Sequence, residues 1–343
     1  MATKETFIYN KASGLNDAQF GKIETPIRMV IEHESDLLTK QGGPLEWLFN
    51  VERSNRFGET IIGGNEFDVF HATPEGGRAE NDSRQDTYKK FIEHIQFMKE
   101  FTITAEMMED ANYGIAADAK RRAENFTRAY YKTRHNLASF VLAQAASGKT
   151  SASFAGASID LTAPNNEALF GTHNYGGGKG TQSNSYSVTD AFTSEEKLEV
   201  ALSEASVKFR NMKDENGDPL GYVADTIILP GNAPVMERMI KKVAGTEQAS
   251  GNGSFINIQY GNWRVIALPN WQLTAGEANK FIIMSKAASD NMSGNMFFNR
   301  IPLTIDAGKD LHTGNYFWVG RCRFGIGFGS YKHIALVTDS TKA

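Results

Sequence analysis

Apolar and polar side chains alternate from His94 to Thr104. Ile95, Phe97, Phe101 and Ile103 fall on one side, with Lys99 the exception. His94, Gln96, Met98, Glu100, Thr102 and Thr104 fall on the other. A period of two predicts a half-buried strand. After Ala105–Asp110 the period changes. Ile115, Ala119, Ala123, Phe126, Tyr130, Thr133, Leu137 and Val141 recur every three or four residues, and neither proline nor glycine interrupts Ile115 to Ser147. The spacing predicts one helix over about 114–147. At ~1.5 Å per residue such a helix is ~50 Å long, whereas a globular helix averages ~11 residues. A rod of that length implies a scaffold element, not the wall of a compact pocket.

The flanking chain is patterned less strongly. Residues 1–26 hold Gly14, Gly21 and Pro26 with scattered charges, and read as an arm that orders only by packing on something. Met29, Val30, Ile31, Leu37 and Leu38 have helical spacing over 27–40, which Gly42-Gly43-Pro44 stops. Leu45 to Val51 reads as a short strand. Residues 52–86 are dense in charge, and their apolar positions centre on Ile61, Ile62, Phe67, Val69 and Phe70. Pro74-Glu75-Gly76-Gly77 is a strong turn signal. A polar two-stranded ribbon is marginal in water, so this stretch is expected to rest on something outside its own subdomain.

Beyond the long helix, residues 149–192 are rich in Gly, Ser, Asn and Thr, with Ile159, Leu161, Leu169 and Phe170 as anchors. Loop sections of that length are functional or interfacial. Thr193 followed by Glu196 predicts a capping box. The helix it opens puts Leu198, Leu202, Ala205, Phe209 and Met212 on one face, and Asn216-Gly217-Asp218-Pro219 ends it. A strand, Thr226 to Leu229, then leads to a helix through Met236, Met239, Ile240 and Val243. Phe255 to Tyr260 and Trp263 to Leu268 read as a hairpin around Gly261-Asn262. Further strands are expected at Phe281 to Met284, Phe297 to Ile305, Tyr316 to Phe328 and Lys332 to Val337. No internal repeat is visible.

Composition narrows the class. The 343 residues are 41% hydrophobic, which is globular and enough for two or three subdomains. A net charge of −4 gives no general pull toward nucleic acid. The single Cys322 rules out an intrachain disulfide framework and fits a reducing compartment. No run of eighteen apolar residues exists to span a bilayer. Met-Ala-Thr-Lys-Glu at the start has no apolar signal core, so the chain is expected to begin in the cytoplasm.

Candidate chemistry is weak throughout. Ala143 to Thr150 fits a loose phosphate-loop pattern, but that chemistry needs a strand before the loop and a helix after it. Here a helix precedes, so Gly148-Lys149 reads as a helix C-cap. Gly325, Gly327 and Gly329 sit in a strand with no helix behind them, and mark bends or close backbone approach. Asp214, Asn216, Asp218 and Asp225 echo a calcium loop, but Pro219 stands where glycine is needed, and a turn is the better reading. The seven histidines show no metal spacing, and Cys322 reads as a small core residue. No catalytic, cofactor-binding or metal-binding residue is singled out. Arg121, Arg122, Arg128, Lys132 and Arg134 line the long helix, either as a solvated face or as one lying near nucleic acid.

The order of parts nonetheless resembles a known family: the major capsid proteins of tailed bacteriophages, with the Hong Kong 97 phage fold, and within them the head subunits of Mu-like phages and prophages. The likeness is carried by the polar excursion with Pro74 to Gly77 near its turn, then Phe101-Thr-Ile-Thr104, then Glu106-Met-Met-Glu-Asp110 before the long helix. Leu169-Phe170 with His173-Asn174, Ile227-Ile-Leu-Pro230, Tyr316-Phe-Trp-Val319 and Arg323-Phe-Gly325 continue it. It covers the chain from about residue 45 to the end.

The resemblance implies an α+β fold with an N-terminal arm (1–44), the start of a peripheral (P) domain (45–54) and an extended E-loop hairpin with its return strand (55–104). The P domain then holds its spine helix (105–220), an axial (A) domain follows (221–307), and P-domain strands close the chain (308–343). It implies a structural shell subunit without an active site or cofactor, which assembles with itself as hexamers and pentamers around packaged double-stranded DNA. Portal, scaffold, protease and cement proteins are implied further partners, with no membrane. With only about 45 residues before the fold, no large cleaved scaffolding segment is expected. An encapsulin-like compartment shell and a nucleotide-binding enzyme using Lys149 are the alternatives.

Overall fold

The computed structural model describes residues 8–10, 18–64, 72–78, 86–109, 114–175, 180–245 and 257–342. The arm contains β1 (Ile8–Asn10) and then α1 (Ala18–Gln41). The helix begins nine residues before the stretch that the sequence pattern marks. Gly21 and Pro26 weaken the local signal, and docking on the long helix overrides it. Ile27 and Ile31 are buried there. Ser35 Oγ and Thr39 Oγ1 each lie 2.8 Å from the Tyr131 hydroxyl.

Leu45 to Val51 is not one strand. Residues Pro44–Leu48 form a helical turn, α2, and Asn50–Arg53 form β2. Pro44 suits a first helical position because its missing N–H would have no partner there anyway. Leu45 and Leu48 are then both fully buried. The polar excursion follows as β3 (Gly58–Gly64) and β4 (Asp86–Glu93), paired antiparallel. The expected turn is present, with the Gly77 N–H donating to the Pro74 carbonyl at 2.8 Å.

His94 separates β4 from β5 (Ile95–Ile103). The alternation has the expected consequence. Phe101 stacks on Trp318 at 5.1 Å and Phe97 on Phe324 at 4.8 Å, whereas Gln96, Met98 and Glu100 are exposed. A short α3 (Ala105–Glu109) precedes the 33-residue α4 (Gly114–Ala146). Ala119, Ala123, Phe126, Tyr130, Leu137 and Val141 are buried along it, as spaced. Its end is a Schellman cap. Gly148 has φ +77°, its N–H reaches the Ala145 carbonyl at 2.9 Å, and the Lys149 N–H reaches the Gln144 carbonyl at 3.2 Å.

The loop-rich stretch carries more strand than its composition suggests. It forms the hairpins β6 (Ser151–Phe154) with β7 (Ala157–Asp160), and β8 (Thr172–Tyr175) with β9 (Gly180–Ser183), and then β10 (Ser185–Val188). α5 (Glu195–Arg210) is capped by Ser194, one residue later than expected, whose hydroxyl accepts the Lys197 N–H. It stops at Arg210, before the Asn216 to Pro219 turn. β11 (Thr226–Pro230) and α6 (Pro234–Gly245) follow. The hairpin expected around Gly261-Asn262 is absent, and residues 255–256 of its first strand lie outside the described residues. Residues 258–261 form a turn, and β12 (Arg264–Leu268) pairs parallel with β11 instead. The polar side chains of Asn257 and Gln259 serve this turn: they hold the Val243 carbonyl and the Ser203 hydroxyl. The chain closes with β13 (Ala278–Met284), α7 (Lys286–Asn291), β14 (Asn295–Lys309), β15 (Tyr316–Phe328) and β16 (Ile334–Lys342).

Two five-stranded sheets organise these parts. The first has the order β1-β14-β15-β5, with β2 also on β14; the second is β10-β16-β13-β11-β12. One core joins α4, the first sheet and one face of the second. The other lies between the second sheet and α5 and α6. Alternate residues of β13 divide between them: Ile282 and Met284 go to the first, Phe281 and Ile283 to the second. A sheet covered on both faces reads as a continuous apolar run, which Phe281 to Met284 and Ile227 to Pro230 are. The boundary drawn at 307/308 falls inside β14, and β16 lies in the second sheet, not beside β14 and β15.

Candidate assembly surface

The ribbon of β3 and β4 has two unlike faces. In β4, Lys90 and Ile92 are buried, while Lys89, Phe91 and Glu93 are exposed. The inner face is seated on the protein's own body. Ile92, with Ile61 beside it, packs on Met296 and Phe298 of β14. The Tyr88 hydroxyl donates to the Gly329 carbonyl at 3.1 Å, and burial pushes its phenol well above the usual range. The glycines of β15 make this seat. A Cβ at Gly325 would meet the Glu93 carbonyl at 2.7 Å, and one at Gly327 would meet Ile92 Cδ1 at 2.7 Å. These glycines mark close backbone approach, as their position in a strand implied.

Two polar devices fix the root of the ribbon. Buried His94 uses Nδ1 toward the carbonyls of Arg56 at 3.1 Å and Phe57 at 2.8 Å, joining the strand that leaves to the strand that enters. The Lys90 ammonium reaches Asp160 and Thr162, beyond the long helix. Burial would raise the Asp160 carboxyl, but the bonds from Lys90 and Thr162 outweigh it and hold the group below the usual carboxylate range. The inner face of the ribbon thus rests on strands of the same chain that lie outside 52–86.

Among the described residues the other face is open except at its root, where the Arg323 guanidinium lies 5.2 Å from the centre of the Phe57 ring. Phe57 is 63% exposed, Phe91 51% and Ile62 44%. They are contiguous. Phe57 and Phe91 stack at 6.4 Å, Thr60 pairs with Phe91, and Ile62 is two residues further along the same face. An apolar patch rimmed by Lys89, Glu93 and Arg56 is the signature of a protein contact. Periodicity missed Phe57 and Phe91 because Phe57 stands alone among polar residues and Phe91 sits beside Ile92, which faces the other way. The aromatic pairing across the strands becomes visible only once the register is known.

The remaining candidates do not assemble into chemistry. Lys149 follows a helix C-terminus, where the backbone offers carbonyls, not phosphate-binding N–H groups. Asp214 Oδ1 accepts the N–H groups of Asn216, Gly217 and Asp218 at 2.7–2.9 Å, and is a turn. Asp225 instead accepts from Thr226 and Lys286. Among the described residues, no group of three or more His, Cys, Asp or Glu is placed to hold a metal ion. Cys322 is buried. His333 is buried against Asn295 at 2.7 Å, and burial pushes its imidazole down to about 3. The basic residues of α4 divide. Arg122 pairs with Asp118, Arg128 with Glu34, and Arg134 is buried over the rings of Tyr130 and Phe297. Arg121 and Lys132 are exposed. Among the described residues no helix is long and apolar enough to cross a membrane.

The phage capsid protein family matches residues 90–337, from the inner end of the ribbon to the last strand. Solved structures align over comparable spans. A capsid structure of the cyanophage P-SCSP1u shares 12% identity over 86% of this chain and 87% of that one, with a TM-score of 0.49. A virus-like particle from Pyrococcus furiosus shares 10% over 94% and 100%, at 0.46. A chain from Mycobacterium phage Adephagia shares 12% over 88% and 92%, at 0.46. No curated protein matches the chain.

Proposed function

The chain belongs to the phage capsid protein family, and from that premise we propose that its ribbon is the extended loop that lies on a neighbouring subunit. The protein is a structural subunit of a capsid shell with the tailed-phage major capsid fold, a class that is not enzymatic. A shell closes when one surface of each copy meets a different surface of the next. The observation that supports the ribbon's role is its largely open outer face, Phe57, Ile62 and Phe91, on a strand pair whose inner face is already seated. Full burial of such a side chain is worth about 1.5–3 kcal/mol, and since these three are already near half buried, covering them on an adjacent copy supplies roughly half of that each.

The long helix then serves as the spine of the P domain. The second sheet with α5 and α6 serves as the A domain, extended beyond 221–307 to take in β10, α5 and β16. What supports this division is the second core, which those elements share. Hexamers and pentamers are the expected assemblies. Portal, scaffold, protease or cement proteins and non-specifically held double-stranded DNA are the proposed partners, with synthesis in the host cytoplasm. Family membership is their support. Kinship with Mu-like heads rests on the order of the motifs from Phe101 to Gly325.

Electron microscopy of the purified chain tests the reading, with closed shells, tubes or capsomers expected. Deleting residues 60–84 is expected to leave a soluble subunit that no longer assembles. Normal shells from that deletion would overturn the ribbon assignment.

A further inference from the structure

We propose that α5 pairs with α5 of a second copy about a two-fold axis, through the groove between its outer face and the turn at 258–261. The inference uses nothing of the ribbon, and stands whether or not the chain closes into shells.

The outer stripe of α5 does not suit solvent. Val200 and Val207 stand two turns apart on the side away from the second core, 58% and 46% exposed. β-Branched residues lose rotamer freedom in a helix, so valine is a poor choice at open positions unless something covers it. Ile258, 81% exposed, forms the opposite wall. A groove of about 480 Å³ runs between them over Ser203 and Gln259. The turn that carries Ile258 is pinned. The Gln259 amide donates to the Ser203 hydroxyl at 2.9 Å and accepts the Trp263 indole N–H at 2.6 Å. The Asn262 amide donates to the Ile258 carbonyl at 2.7 Å, and the Gly261 N–H to the Ala244 carbonyl at 3.0 Å. A wall held in this way loses little further entropy on docking.

The order of side chains along α5 names the occupant. With two copies antiparallel and the axis between Ser203 and Glu204, Val200 of each lies opposite Val207 of the other, and Glu199 lies opposite Lys208. Apolar meets apolar beside the axis, and opposite charges meet at both ends. A parallel pairing would instead set Glu199 against Glu199. Burial, and then the neighbouring Glu195 and Glu196, push the Glu199 carboxyl up, so an incoming ammonium relieves that crowding. Lys208 is exposed at the other end of the groove, its ammonium 5.9 Å from the Tyr186 ring. Glu199 and Glu204 outnumber Lys208 on the lining, whereas a nucleic-acid partner needs a basic face. A two-fold contact consumes its own face and stops at two copies. With three apolar side chains from each copy, it falls short of the ~20–30 residues a side of a standard interface, and the pair is reversible.

A photo-crosslinking amino acid at position 207 of the full chain tests the pair, in free subunits and particles alike, with products mapped by mass spectrometry. Dimers joined from 207 to the neighbourhood of Val200 on another copy are expected. Monomers only, or dimers joined elsewhere, overturn the pair and leave the shell reading standing. With the same probe, Glu199→Lys and Lys208→Glu should each lower the dimer yield roughly tenfold, because two ion pairs turn into like-charge contacts. The two substitutions together should restore it, which only the antiparallel register allows. Melting temperatures are expected to hold in all three variants. Parental yield from either single variant, or no recovery in the double one, also overturns the pair.

Discussion

In β13, Phe281 to Met284 are all out of solvent, whereas in β4 burial changes with every residue from Lys89 to Glu93. Both strands carry large apolar side chains. The difference lies in how many of their faces this chain covers. The second sheet has α5 and α6 on one side and the α4 core on the other. The ribbon has β14 and β15 on one side, while on the other Phe91 and Ile62 stay about half exposed and, among the described residues, only Arg323 reaches over Phe57. A strand finished within its own chain and a strand finished by a neighbour can therefore look alike in local pattern. They are told apart by the cover each face receives.

The largest expected effect comes from substituting one aromatic in each region. Phe281→Ala opens a cavity between the second sheet and the helices and should cost about 3–5 kcal/mol, seen as a steep fall in melting temperature or loss of soluble protein. Phe91→Ala on the ribbon's outer face should change the free subunit's stability by no more than about 0.5 kcal/mol, while assembly by light scattering collapses. Equal destabilisation by the two substitutions would mean that Phe91 belongs to the subunit's own core, and the contrast would fail.

Next in size is the seat beneath the ribbon. Gly325→Ala places a methyl group 2.7 Å from the Glu93 carbonyl, and backbone cannot swing aside as a side-chain tip can. Overpacking of this kind costs about 1–3 kcal/mol. The damage should be local: hydrogen exchange is expected to rise in 58–64 and 86–93 and to stay unchanged in 278–284. Uniform acceleration across both regions would show that the seat supports the whole fold and not the ribbon alone.

How much of this was legible in the sequence follows the same line. The long helix could be read to within a residue at each end, because its apolar stripe, its uninterrupted run and its Gly148 stop agree with one another. β15 could also be read to its ends, although Gly320, Gly325 and Gly327 interrupt it. The strand proposed at Leu45 to Val51 failed because Pro44 and two buried leucines also fit one helical turn, and a short apolar run does not choose between the two. The Gly261-Asn262 hairpin failed because β12 finds a parallel partner in β11, distant in sequence, and local turn signals carry no record of that. The ribbon was legible as a region unable to bury itself. Its seat was not, because the glycines that make it lie more than two hundred residues downstream, and a glycine names no partner until the strands are paired.

The smallest expected effect separates the regions by acid. Asp160, which receives Lys90 from the ribbon, has its carboxyl held below the ordinary 3.8. A lowered carboxylate binds fewer protons folded than unfolded. Its stabilisation is therefore present above 3.8 and is lost as pH falls through the folded value. His333, beside the second sheet, acts in a different window. Its imidazole is pushed from 6.5 down to about 3, so the unfolded chain takes the proton first, and stability is lost as pH falls from 6.5 toward 3. Buried His173 is displaced in the same direction. Acidification should thus weaken the body before it frees the ribbon. Asp160→Asn should leave the upper limb of a melting-temperature profile intact and flatten only the part below about pH 4, with a shallow slope remaining from Asp310 and Glu277, whose carboxyls are also lowered. Asp160 is half exposed, so solvent screens the pair and the change is small. A variant that flattens the upper limb instead would place the acid-sensitive latch in the body, and the ribbon would lose its separate hold on 160–162.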